Sequence, residues 1–259
     1  DLAEGVSTSP RAANLAAAVL RGKLPTLHAY GWLVLPVGHG GYYVDDATLR
    51  AIRASRFEPI FNGQPAGTPP QRHQGRAWEW AEHLTRVFHQ SLSAHGLLAC
   101  SPGQPPKQVR DMYALRSLPC AANTSCPEGV ARSGRQPAHS DAPAAVEPGA
   151  TPLHALADAD MPLSAMLAVQ PGTRLWVFPS GCTEAEAAAA KGEAAAAAAG
   201  EAPLLVELDL GDLLVWRGDL VHAGAGYDVE HVRVHAYVDP PDNIYRRPHG
   251  QTNLCGAEE

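Results

Sequence analysis

Two histidines and one aspartate carry the chemistry that is easiest to read in this chain. His139 and Asp141 form a His-x-Asp triplet, and His222 lies far downstream. Two imidazoles and one carboxylate can bind one face of a divalent iron. The opposite positions then stay open for an oxidant and a cosubstrate. Arg233 follows the second histidine by eleven residues. Its guanidinium is a fork of donors matched to a carboxylate, so it could hold the remote end of that cosubstrate. Together these residues suggest an oxygenase.

The triplet alone carries little weight. Twelve histidines in a chain with 27 acidic residues give roughly one His-x-acid triplet by chance. Three features add to it. On a strand, the i, i+2 spacing turns both side chains to one face. His222 follows two tight turns in a strand-rich run, at a strand start. Arg233 lies on the polar face of the next strand, where a buried guanidinium needs an anion. No acid near it on that strand supplies one. His154 could be a ligand if its loop folds back. His231 and His235 flank Arg233; His235 could line the pocket, although a hydrogen bond in the core is the more usual fate of such a histidine. The remaining histidines show no partner pattern and are assigned no role.

Elements able to position these groups are legible around them. Residues 11–22 read as a short helix closed by Gly22. Residues 27–37 alternate as a strand. Asp45-Asp46-Ala47-Thr48 opens a helix to about Ala54, with acids where the dipole favours them. Residues 57–75, rich in Pro, Gly and Gln, read as a loop. Residues 77–98 carry Trp80, Leu84, Val87, Phe88 and Leu92 at helical spacing, and Trp78 and Trp80 are expected to pack on a sheet. Strands follow at 111–118, 163–170, 174–178, 206–210, 213–216, 220–222 and 232–238. In the last of these, Val232, Val234, Ala236 and Val238 take one face and Arg233, His235 and Tyr237 the other. Residues 120–134 are irregular. Residues 183–201 are almost all alanine with Glu and Lys, and read as an inserted surface helix, with a disordered loop as the alternative. The sum is helices on an antiparallel sheet system, a sandwich or squashed barrel.

The chain has 259 residues, 45% apolar, with net charge −7. That is enough for one sizeable core, and the charge does not recommend a generic polyanion binder. Five cysteines form no CxxC pair. Free thiols in a reducing compartment, cytoplasm or nucleus, are the expectation, with a Cys120–Cys126 loop as the alternative. Asn123-Thr124-Ser125 fits a glycosylation acceptor but is a common triplet. No apolar run reaches the ~18 residues that cross a bilayer, so no membrane partner is expected.

The segment from Leu210 to Gly224, LGDLLVWRGDLVHAG, followed by RVHAYVD at 233–239, resembles the C-terminal signature of the iron(II)/2-oxoglutarate-dependent oxygenases. The family pattern is His-x-Asp, a distant His, and an Arg or Lys about ten residues on, and all four positions match. The resemblance covers about residues 109–240. It implies a mostly β fold with supporting α-helices around a double-stranded β-helix, a jelly-roll or cupin-like core. The chain would then be a single domain, with a support region at 1–108, the core at 109–240 and a C-terminal tail at 241–259. The resemblance further implies that His139, Asp141 and His222 bind iron(II), and that Arg233 pairs with the distal carboxylate of 2-oxoglutarate. Tyr113 and Tyr237 are further cosubstrate-binding candidates, with Arg116 beside Tyr113; Trp176 and Phe178 are candidates for the pocket wall. The implied reaction is hydroxylation or oxidative demethylation with O2. Its prime substrate would be an amino-acid residue or small metabolite, with a nucleic acid as a further branch. Alternatives are an iron oxygenase acting on a nucleobase with ascorbate or another cosubstrate, a non-catalytic jelly-roll binding module, and a cupin-like metal hydrolase or isomerase.

Overall fold

The computed structural model describes residues 27–28, 30–36, 42–59, 72–76, 78–119, 139–142, 156–178, 204–241 and 253–254. The helix expected at 11–22, the irregular stretch 120–134 with Cys120, Asn123 and Cys126, His154, and the alanine-rich 183–201 lie outside these residues.

The described strands are β1 (Trp32–Leu35), β2 (Arg56–Pro59), β3 (Arg72–Arg76), β4 (Gln108–Ser117), β5 (His139–Ser140), β6 (Leu163–Leu167), β7 (Thr173–Phe178), β8 (Leu204–Leu208), β9 (Leu213–Arg217), β10 (Val221–Gly224), β11 (His231–Asp239) and β12 (Asn253–Leu254). The described helices are α1 (Asp46–Arg53) and α2 (Trp78–Ala94). A larger sheet has the order β1-β9-β6-β11-β4-β3-β2, and a smaller one β12-β5-β10-β7-β8. From β4 to β11 the chain passes from sheet to sheet at every step except β7 to β8, which pair directly. That winding is the double-stranded β-helix, or jelly roll.

Alternation along the strands separates two interiors. On the outer face of the larger sheet, Leu33, Leu35, Met112, Ala114, Val232, Val234, Ala236 and Val238 pack on Ile52 of α1 and on Trp80, Leu84, Phe88 and Leu92 of α2. The helical residues recur every four positions, which makes one apolar stripe. Each fully buried large side chain there contributes about 1.5–3 kcal/mol. Asp45 caps α1 by accepting a hydrogen bond from the Thr48 backbone N–H at 2.6 Å. That same bond holds the Asp45 carboxyl below its ordinary value. The Trp80 indole donates to Ser55 Oγ at 2.9 Å and ties α2 to the end of α1. Between the sheets, Trp32, Val34, Met166, Leu175, Val177, Leu214, Trp216 and Leu220 form the second cluster.

Three segments differ from the sequence expectation. The strand expected from Leu27 begins only at Trp32; residues 27, 28 and 30 are helical, and the Gly31 N–H donates to Leu27 O at 2.8 Å. The stretch 57–75 was expected as a loop, yet its ends form β2 and β3, paired from Arg56↔Arg76 to Pro59↔His73. Pro59 is tolerated because β2 is the edge strand and Pro59 ends it. Gly75 is required by close approach: a Cβ there would meet Arg56 O, Phe57 Cδ1 and Ser55 Cβ, each at 3.1 Å. In the C-terminal stretch, Asn253 and Leu254 pair with Ser140 and His139, adding β12 to the smaller sheet.

Candidate metal centre

The centre starts from strand register. His139 on β5 and His222 on β10 are direct Cα partners across an antiparallel pair. Direct partners project from the same face with Cβ atoms about 4.5–5.5 Å apart, and the two rings lie 4.4 Å apart, centre to centre. On the other side of β10, His222 pairs with Val177, a member of the cluster between the sheets. The shared face therefore points into the sandwich. Asp141 stands two residues past His139, where the pleat returns to that face. Just beyond it, the Ala142 N–H donates to Gly218 O at 2.9 Å, and the Gly218 N–H donates to Pro162 O at 2.7 Å. The Ser140 hydroxyl also donates to Ala142 O at 3.0 Å. These bonds fix the chain where β5 ends.

One donor atom from each of His139, Asp141 and His222 lies within 4.8 Å of the other two. His222 Nδ1 donates to Leu220 O at 2.9 Å, which leaves Nε2 facing Asp141 Oδ2 at 3.7 Å. Anchoring one ring nitrogen on a carbonyl to present the other is the usual arrangement of a metal-binding histidine. The Trp216 indole N–H donates to Asp141 Oδ2 at 3.0 Å. The side chains of His222 and Asp141 are only 4% and 7% exposed. A cluster of two imidazoles and a carboxylate, shielded from water, suits a first-row divalent metal with open positions.

Arg233 lies on β11, 3% exposed. Its Nη1 donates to Ser117 Oγ on β4 at 2.9 Å, while Nε has no hydrogen-bond partner among the described residues. No described carboxylate forms an ion pair with it. Burial pulls its pKa below the ordinary value, and nearby Tyr227 opposes the shift. The group nonetheless stays charged at neutral pH. A buried cation lacking a counter-ion is costly, and a ligand carboxylate is the partner that matches its fork.

Tyr113 and Tyr237 share the inward face with Arg233. Tyr113 is the register partner of His235, and its ring meets Tyr237 edge-on at 6.5 Å. A bulge between His235 and Tyr237 shifts the pairing with β4. It lies beside Asp111, whose φ is 45°. Bulges of this kind re-aim side chains near sites.

Other expectations are corrected. Arg116 pairs with Val232 on the helix-side face and lies over the Phe57 ring at 4.4 Å, away from the centre. Trp176 and Phe178 stand in register with Ala223 and Val221, so they face away from His222. His231 is buried and bonded through Nε2 to Thr173 Oγ1 at 2.8 Å. His235 takes the pocket-lining place that was its alternative: its Nε2 is 3.7 Å from Asp141 Oδ2, and its ring lies 5.5 Å from Trp216. Sequence reasoning also passed over Trp216. Its one available signal was a face shared with Leu214, two residues before it, on the strand leading to His222.

No family model and no curated protein matches the chain. Solved structures do match. The non-heme alpha-ketoglutarate dependent carbocyclase SnoK from nogalamycin biosynthesis is 17% identical, with TM-score 0.52 over 88% of this chain and 85% of that one. The alpha-ketoglutarate dependent epimerase SnoN from the same biosynthesis is 15% identical, with TM-score 0.50 over 95% and 92%. HygX from Streptomyces hygroscopicus, solved with nickel and 2-oxoglutarate bound, is 14% identical, with TM-score 0.50 over 86% and 87%. The chain shares their fold. In the double-stranded β-helix of this chain, the paired histidines and the buried arginine all face the space between the two sheets.

Proposed function

We propose that the chain is an iron(II)- and 2-oxoglutarate-dependent oxygenase that hydroxylates or oxidatively demethylates a small metabolite or an amino-acid residue. The observation that supports this most is the pairing of two unlike sites on one interior face. A His-Asp-His cluster able to hold a metal faces the same interior as a buried guanidinium whose Nε has no partner among the described residues. Iron(II) held there with 2-oxoglutarate would supply O2-driven oxidation of a C–H bond, releasing succinate and carbon dioxide.

The chain's own residues would divide the work. His139 and His222 would present neutral imidazole nitrogens, with His222 oriented by its bond to Leu220 O. Asp141 would lower the charge of the complex. Arg233 would hold the distal carboxylate in one orientation while Ser117 holds Nη1. Tyr113 and Tyr237, on the same face, are the further groups able to reach the cosubstrate. The closed sandwich would exclude water from the reacting atoms.

The decisive measurement is O2-dependent succinate release by the purified protein with iron(II) and 2-oxoglutarate. His139→Ala should abolish it and should also abolish metal binding in an anaerobic titration. Metal binding without succinate release would favour a cupin-like hydrolase or isomerase, and neither would leave a binding module. SnoK and SnoN are named for ring closure and epimerisation. Product searches should therefore include those outcomes as well as hydroxylation. Replacing 2-oxoglutarate by ascorbate tests the alternative cosubstrate.

A further inference from the structure

His235 lies outside the three-residue cluster, yet its ring is packed against it. The ring lies 5.5 Å from Trp216 and meets Tyr237 edge-on at 4.7 Å, the planes at 87°. Its Nε2 points at Asp141 Oδ2, 3.7 Å away, and it forms no hydrogen bond with any described residue. Oδ2 is the same oxygen that accepts the Trp216 indole N–H. His235 is not among the residues whose donor atoms converge within 4.8 Å, so its place is beside the carboxylate and not in the ligand set.

We infer that His235 is a positioning residue for Asp141: its Nε2–H and the indole N–H of Trp216 together hold one carboxylate oxygen and set the orientation in which Asp141 meets a metal. This rests on the metal-centre reading given under Proposed function. At 3.7 Å the pair is an electrostatic contact, and a carboxylate shift of about 0.7 Å brings it into hydrogen-bond range. Once that shift puts both donors on Oδ2, the carboxylate cannot turn about its Cβ–Cγ bond without losing both. Groups one step removed from a metal typically change its affinity about 10- to 100-fold. The expected effect is of that size.

The test uses Mn(II) binding by calorimetry and the visible spectrum of the Co(II)-loaded protein, with His235→Phe and His235→Gln. Phe fills the space without a donor; the Gln amide nitrogen can occupy the place of Nε2. His235→Phe should weaken Mn(II) binding about tenfold or more and alter the Co(II) bands. His235→Gln should restore most of both, and the metal-free melting temperatures should stay close to wild type. Trp216→Phe, which removes the companion N–H, should weaken binding in the same direction; it serves if His235→Phe does not fold. Wild-type affinity and spectrum in His235→Phe would overturn the inference and leave the centre standing. A His235→Gln protein as weak as His235→Phe would also overturn it, pointing to packing or direct ligation. No Mn(II) binding by the wild-type protein would overturn the centre and the inference together.

Discussion

Arg233 is the residue at which binding and stability pull apart. It is buried and charged, and its single hydrogen bond to a described residue goes to a hydroxyl. Arg233→Met should raise the dissociation constant for 2-oxoglutarate by about 10- to 100-fold, the loss expected when hydrogen bonds to a charged group disappear. The metal-free melting temperature should stay level or rise, because an uncompensated buried charge has gone. Arg233→Lys should recover part of the affinity, since an ammonium lacks the planar fork. A 2-oxoglutarate titration beside a thermal melt reads both effects, and an Arg233→Met protein that titrates like wild type would remove the clamp from the proposal. The facing of Arg233 was legible in the sequence, because valine and polar residues alternate along β11 with period two. The facing of His235 was legible with it, but the place of His235 beside Asp141 and the place of Trp216 were not. Their roles depend on which strand of the opposite sheet brings Asp141 over them, and no local pattern encodes that.

At the scale of elements, the turn between β9 and β10 holds the centre in place. Gly218 bonds to Ala142 on one side and Pro162 on the other. A Cβ at this position would lie 3.1 Å from both Ala142 Cβ and Pro162 O. Neither neighbour can retreat without stretching a hydrogen bond to Gly218 itself. Gly218→Ala should therefore displace Ala142 and, with it, Asp141. The expected result is a folded protein with weaker Mn(II) binding, and Gly218→Val should be worse; unchanged affinity in both would show that the turn yields freely. A second joint lies before β6, where Asp160 accepts from Ser101 Oγ at 2.6 Å and from Ser101 N at 2.8 Å. These bonds hold its carboxyl below the ordinary value of 3.8. A depressed carboxyl stabilises the fold above its unfolded pKa, and the contribution fades as pH falls through the folded value. Asp160→Asn should cost about 1 kcal/mol or less at pH 7 after allowing for solvent screening, or roughly 2–4 °C. The difference should close below the ordinary carboxyl range, and melts at pH 7 and in acid would check it. Pro-Gly-Gln composition hid β2 and β3, because edge strands tolerate residues that central strands reject.

For the whole molecule, the sequence carried the class of architecture but not its closure. Strands β6 to β11 were visible as alternating runs with turn residues between them. The pairing of β5 with β10 and β12 was not, because β5 and β12 are each two residues long, too short for any periodicity. That pairing has a consequence for the centre. His139 sits on a strand held between β10 on one side and β12 on the other. The described members of both apolar clusters all precede β12. A chain ending at Gly250 should therefore still melt cooperatively, while β5 loses one of its two neighbours and His139 moves to a fraying edge. Mn(II) binding should weaken, and amides of β5 should exchange faster with solvent. Saturating metal should recover much of the lost stability. A ligand bound only by the folded chain stabilises it by RT ln(1 + [L]/Kd), about 2.7 kcal/mol at a hundredfold excess over Kd, and the ion would tie β5 to β10 directly. If the shortened chain binds Mn(II) as tightly as the full one, β5 is held by β10 alone, and β12 contributes nothing to the site.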